Sequence, residues 1–178
     1  MKKQVLACTF CTLLGAFAAQ RAFAYEERIR EYLIGVQEIN RMKVAAVYLL
    51  PIDMEPRGMD LPQSQADIHL EADIHATRGN LNGFGAGEWI PHLKVGYTLV
   101  NADTGETKTG TFMPMVAKDG PHYGSNVKMM GAGNYKLTFV IDNPSKQGFG
   151  RHTDVATGVG KWFQQFVVNY TFKWVPIK

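Results

Sequence analysis

Read with a period of two, the stretch from Asp67 to Ala76 separates into two faces. Ile68, Leu70, Ala72, Ile74 and Ala76 make one, and it is apolar. Asp67, His69, Glu71, Asp73 and His75 make the other. Each side chain on that second face can ligate a metal. None is Lys, Ser, Thr or Gln, the usual dress of a solvated face. Residues two apart on a strand stand about 6.6 Å apart along the chain, so a neighbouring pair can converge on one ion. His69 and His75, roughly 20 Å apart on an extended strand, cannot share one. The strand therefore offers one adjacent pair, of which His69 and Glu71 are the candidates, and the remaining ligands must come from other segments.

Three further segments carry ligand chemistry. His122 follows Gly120-Pro121 and precedes Tyr123-Gly124; Gly-Pro before the histidine predicts a turn that pre-sets the ring. His152 lies in Gly148-Phe149-Gly150-Arg151-His152, inside a long glycine-rich loop, whereas His92, after Pro91 at a strand start, reads as an ordinary surface residue. Met113-Pro114-Met115 places a proline in an extended segment, which implies an edge strand or bulge. A methionine there need not be core filler, although filler is the ordinary role. Thioethers suit copper, above all Cu(I), and imidazoles suit copper, iron and zinc. A His, Met and Glu set thus points to copper or an iron-group ion. No Gly-x-Ser-x-Gly elbow, P-loop or zinc-protease helix is present, and Gly83-Phe84-Gly85-Ala86-Gly87 lacks the following helix of a dinucleotide site.

The elements that must position these residues read as all-β. Apolar alternation is predicted over Leu33–Ile39, Lys43–Ile52, Ala66–Ala76, His92–Asn101, Gly105–Val116, Asn126–Met130, Asn134–Asp142 and Trp162–Val175, with Gly, Asn, Asp and Pro clusters between. About eight strands without helices predict an immunoglobulin-like β-sandwich. The last strand is the most aromatic, with an irregularity at Gln164-Gln165 that suggests a bulge.

Residues 1–24 stand apart. Lys2 and Lys3, a mostly apolar run and Ala22-Phe23-Ala24 make the pattern of a secretory signal peptide cleaved after Ala24. The apolar run is interrupted by Thr9, Thr12 and Gln20-Arg21, short of the roughly 20 residues of a spanning helix. Lys2, Lys3 and Arg21 are three of the 19 basic residues and no acid lies in the segment, so the remaining chain carries 16 basic and 16 acidic residues. A net charge of zero gives no electrostatic case for nucleic-acid binding. Cys8 and Cys11, the only cysteines, also fall in the segment, so a metal in the exported chain must be held by His, Met, Asp or Glu. Residues 25–178 suit one domain.

Several segments together resemble the periplasmic iron-transport protein family, the soluble partners of an inner-membrane iron permease. They are Ala45-Ala46-Val47-Tyr48-Leu49-Leu50-Pro51-Ile52-Asp53-Met54-Glu55-Pro56, Ile68 to Ala76, Phe84-Gly85-Ala86-Gly87-Glu88-Trp89, Met113-Pro114-Met115, and Asp119-Gly120-Pro121-His122-Tyr123-Gly124. The likeness runs on through Gly148-Phe149-Gly150-Arg151-His152 to the aromatic last strand, in the same order. The resemblance implies a non-enzymatic periplasmic homodimer that binds copper, takes part in iron uptake and works with the permease. It implies copper ligands at His69, Glu71, Met115, His122 and His152, with His69 and Glu71 as alternatives at two nearby copper positions. A copper ferroxidase acting on periplasmic iron is the alternative, separable by multiple-turnover Fe(II) oxidation. Asp67, Asp73, His75, Asp119, Asp60, Met59 and Met54-Glu55-Pro56 are left as candidates for a second site. Because histidine ligands must be neutral, copper affinity is expected to fall as pH drops through about 6.5.

Overall fold

The computed structural model describes residues 30–177, so the expected leader lies outside the described residues. Nine strands form: β1 Tyr32–Ile39, β2 Met42–Leu49, β3 Ile68–Ala76, β4 Lys94–Asn101, β5 Thr107–Thr111, β6 Met113–Ala117, β7 Gly120–Val127, β8 Gly133–Asp142 and β9 Phe166–Trp174. They make two antiparallel sheets, ordered β1-β2-β3-β7-β6 and β5-β4-β8-β9. This is the all-β sandwich that the alternation predicts. Apolar side chains such as Val44, Leu70, Ile74, Leu99, Leu137 and Phe139 close the space between the sheets with no exposed surface. Full burial of such a residue stabilises by roughly 1.5–3 kcal/mol.

Three segments differ from the sequence expectation. Gly105–Val116 is not one strand. It breaks at Phe112, which is buried and donates its N–H to the Val95 carbonyl. The chain there leaves one sheet as β5 and enters the other as β6. The strand expected at Asn126–Met130 is instead β7, which begins at Gly120. Gly120-Pro121-His122 is thus extended chain paired with β6, and the turn falls just before it. Pro114 sits on β6, the outermost strand of its sheet, where a missing N–H costs no ladder bond. At the other end, residues 161–165 lie outside any strand and β9 starts at Phe166, so the expected bulge does not form.

Between β2 and β3, residues 50–67 fold back over the outer face of the first sheet. The Asn126 amide holds this loop at two points, donating to the carbonyls of Ile52 (2.8 Å) and Leu61 (2.8 Å). Asp60 completes the clasp by accepting from Ser125 Oγ (2.9 Å) and the Asn126 N–H. A face that would otherwise be solvated is thereby roofed.

Candidate metal centre

Register puts the candidate ligands in adjacent rows. On β3 and β7, His69 lies opposite Asn126 and Glu71 opposite Gly124. On β6 and β7, Met113 lies opposite Gly124 and Met115 opposite His122. Directly paired residues point to the same side of a sheet. His69, Glu71, His122, Met113 and Met115 therefore surround one position, above the bare backbone of Gly124.

The geometry at that position is close. Glu71 Oε1 is 3.4 Å from His69 Nε2 and 3.3 Å from His122 Nε2. One ligand atom from each of the three lies within 4.8 Å of the others. All three residues are buried, His69 completely. Neither Nε2 atom has a hydrogen-bond partner. A buried polar atom without a partner is costly, and it needs a reason. Two ligand atoms each about 2.1 Å from one ion, at a tetrahedral angle, stand about 3.4 Å apart. The donor set fits a metal on both counts.

The tautomer of His69 is fixed by its surroundings. Asn126 Nδ2 is committed to two carbonyls, and its Oδ1 already accepts from the Ile52 N–H at 3.2 Å. The same Oδ1 faces His69 Nδ1 at 3.1 Å, so Nδ1 carries the proton and donates. The lone pair is left on Nε2, aimed at Glu71 and His122. Such outer partners of a ligand orient it and raise its basicity, and their loss typically weakens metal binding 10–100-fold. Asn126→Ala is expected to lower copper affinity by about that range, read in a competition titration against a chelator of known strength. It also releases the roof loop, so Asp60→Ala, which removes the loop's other clasp on Ser125 and the Asn126 N–H while leaving the Asn126–His69 contact in place, is the matched control.

Burial pushes the His69 pKa down to about 4, with His122 adding to the effect and the Asn126 contact and Asp60 opposing it. His69 therefore does not compete with protons near 6.5. The acid loss of affinity expected there does not arise from this ligand. Burial first, and then Asp73, Glu31 and Asp119, push the Glu71 carboxyl up to about 8. Without metal it holds a proton at neutral pH. Burial and Asp119 likewise raise Glu31, to about 7, and burial raises Asp73.

Met115 lines the same cleft as Glu71 and His122. His152 does not. It is exposed, in the loop that follows Pro144–Gln147, and that loop is tied by Gly160 to the Leu81 carbonyl. The His152 loop is nonetheless ordered by its own bonds. Thr157 Oγ1 donates to Asp154 Oδ2 (2.7 Å) and so can only accept from His152 Nδ1 (2.8 Å). His152, like His69, presents an unprotonated Nε2. Two candidates for a second site are occupied otherwise: Asp67 accepts from Lys128 Nζ (2.7 Å) and the Met129 N–H (2.8 Å), and Asp60 clasps the roof loop.

Sequence reasoning missed Gly124 and Asn126. Both lie at a period of two from His122, so a strand begun at Gly120 would have put all three on one face.

Fold and site together define a β-sandwich with a buried His/Glu cluster of metal-ligand geometry. The sequence profile of the Fe2+ transport protein family matches residues 28–176, and the chain belongs to that family. A copper-bound variant of FetP from uropathogenic Escherichia coli strain F11 is 64% identical, covers 84% of this chain and 96% of its own, and superposes with a TM-score of 0.82. A copper-bound variant of Campylobacter jejuni P19 is 58% identical, with 84% and 99% coverage and a TM-score of 0.82. A UPF0423 protein of Brucella abortus is 50% identical over 155 residues, 85% of either chain. No helix of the described residues is long and apolar enough to cross a membrane.

Proposed function

We propose that this chain is an exported, non-enzymatic copper-binding protein of periplasmic iron uptake. Residues 1–24 are its leader, and it passes iron to an inner-membrane permease. The carrying observation is the buried His69, Glu71 and His122 cluster with two partnerless Nε2 atoms. Copper is the ion that the donors fit best, because Met115 adds a thioether to the same cleft. The copper found in FetP and P19 supports the choice.

His69, Glu71, Met115 and His122 hold the ion from one chain. His152 completes the set from a second copy in a homodimer. Its loop is tied to Leu81, beyond the His75 end of β3, whereas His69 lies near the other end. Its exposed, tautomer-fixed ring is suited to reach across an interface. Bound copper would supply a centre able to cycle between Cu(I) and Cu(II) beside the iron cargo. The residues of this chain do the rest. Asn126 orients His69, the roof loop limits water, and Glu71 exchanges its proton for the metal.

X-ray absorption at the copper edge is expected to show nitrogen or oxygen scatterers and one sulfur. The sulfur contribution should vanish in Met115→Leu, and one nitrogen in His152→Ala. A spectrum without sulfur would remove Met115 from the set. Deletion of the chain is expected to impair growth on limiting iron, and normal growth would separate it from iron uptake. The His152 assignment is tested again by subunit mixing: each mixed dimer of His152→Ala and His69→Ala chains should regain one intact site of its two if the ligand crosses between copies.

A further inference from the structure

The chain has eight methionines, one of them Met1. Met42 and Met129 are buried core and Met130 packs against it, the ordinary use of the residue. The other four, Met54, Met59, Met113 and Met115, all line one cleft, together with Glu71 and His122. They come from two elements far apart in sequence, the roof loop and β6. They are also graded in exposure: Met59 is 57% exposed at the rim, while Met54, Met113 and Met115 are half-buried. Met113 stands in the row of Gly124 and Glu71, one row from Met115 and His122.

The cleft has a volume of about 430 Å³. Carboxylates line it too, among them Glu31, Asp53 and Asp119, and its lining residues include no Lys or Arg. Converging negative charge in a low-dielectric cleft raises the local concentration of cations. Thioethers then discriminate among them, since they are soft ligands that favour Cu(I) and bind hard ions poorly. His122 brings one of the two partnerless imidazole nitrogens to the cleft, and Glu71, 3.4 Å from the other on His69, lines it too.

We propose that Met54, Met59 and Met113 form a second, weaker soft-metal site at the mouth of the cleft, which receives monovalent copper and delivers it to the buried centre. The transfer is ligand exchange. The copper stays Cu(I), no electron moves, and thioethers are replaced stepwise by Met115 and imidazole. This inference rests on the copper centre proposed above, and it adds a loading site that the centre alone does not require.

Ag(I), a redox-silent stand-in for Cu(I), is the probe. Protein labelled at the methionine methyl carbons is expected to bind two equivalents. The first should shift the Met115 methyl signal, and the second those of Met54, Met59 and Met113. The triple variant Met54→Leu, Met59→Leu, Met113→Leu keeps side-chain volume. It should lose the second equivalent and take up Cu(I) from a chelator at least tenfold more slowly; in Met54→Leu, Met59→Leu, which leaves Met113 in place beside the centre, uptake should slow with the affinity of the first equivalent within threefold. Met59→Leu alone, at an exposed position, should slow uptake by a smaller factor without touching the fold. A single equivalent in the unaltered protein, or unchanged uptake in the triple variant, overturns the proposal. In His69→Ala, His122→Ala protein the Met54, Met59 and Met113 shifts should persist, and their loss would also overturn a separate outer site. If those three shift while Met115 does not in the unaltered protein, the buried copper centre fails and the outer site stands.

Discussion

Gly124→Ala is expected to lower copper affinity at least a hundredfold while leaving the sandwich folded. A methyl group built on Gly124 falls 2.6 Å from His69 Nε2, 3.0 Å from His69 Cε1 and 3.4 Å from His122 Cδ2. The first distance is well inside van der Waals contact, and the atom it meets is the lone-pair nitrogen. The methyl therefore takes the place that the ion needs. His69 cannot step aside cheaply, because it is fully buried and held at Nδ1 by Asn126. The backbone does not object: Gly124 is not among the positive-φ residues and lies inside β7. The stability cost is that of local overpacking, about 1–3 kcal/mol, and a hundredfold loss of affinity corresponds to about 2.8 kcal/mol of binding free energy. Gly96→Ala is the control, since a methyl there meets nothing nearer than 3.7 Å, in the opposite sheet. Chelator-competition titrations with melts of the metal-free proteins separate the two effects. Copper binding by Gly124→Ala at the strength of the unaltered protein would mean that the ion does not sit between these histidines.

Why a glycine matters this much was not legible locally. The period-two pattern of Asp67–Ala76 identified β3 and the pair His69 and Glu71, because alternation is a property of the strand itself. The all-β class was legible for the same reason. The partners of β3 were not, because sheet order depends on contacts between distant segments. Beginning a strand at Asn126 instead of Gly120 hid the row that joins Asn126, Gly124 and His122. Gly-Pro reads as a turn, yet at an edge pair Pro121 tolerates extension. The burial of the ligand face was also out of reach. Alternation marks that face as polar and so as solvated, but residues 50–67 roof it through Asn126 and Asp60. That roof is what moves the ionisation of His69 and Glu71 in opposite directions. His152 stood out in the sequence by its glycine-rich loop, and its expected ligand role rests on the family resemblance; its own surroundings explain its tautomer and not its target.

Those opposed shifts give the metal-free protein an unusual dependence on pH. Unfolded, Glu71 and His69 take ordinary values of 4.5 and 6.5; folded, they stand at about 8 and about 4. Between 4.5 and 6.5 the pair holds one proton in either state, on His69 when unfolded and on Glu71 when folded, so it contributes no slope. From 6.5 to 8 the folded state keeps a proton that the unfolded state has lost. Stability must then fall as pH rises, by about 1.4 kcal/mol per unit at most, or about 2 kcal/mol across the window. The raised values of Asp73 and Glu31 act in the same direction. Below 4.5 the sign reverses: the unfolded pair holds two protons, the folded pair one, and stability is lost as pH falls towards 4. Glu71→Gln should flatten the alkaline loss, leaving the smaller part due to Glu31. Relative to the unaltered protein it should also lose stability as pH falls below 6.5, because His69 then titrates without Glu71 to offset it. Urea unfolding of the metal-free proteins between pH 5 and 8.5 reads both limbs. Stability that is flat or rising from 6.5 to 8 would mean that Glu71 is ionised in the folded state. The same proton links stability to loading, since Glu71 must give it up to ligate. Titrations at pH 7 in buffers of different ionisation enthalpy should show about one more proton released per copper by the unaltered protein than by Glu71→Gln. Equal release would leave Glu71 outside the ligand set and His69, His122 and Met115 as the centre.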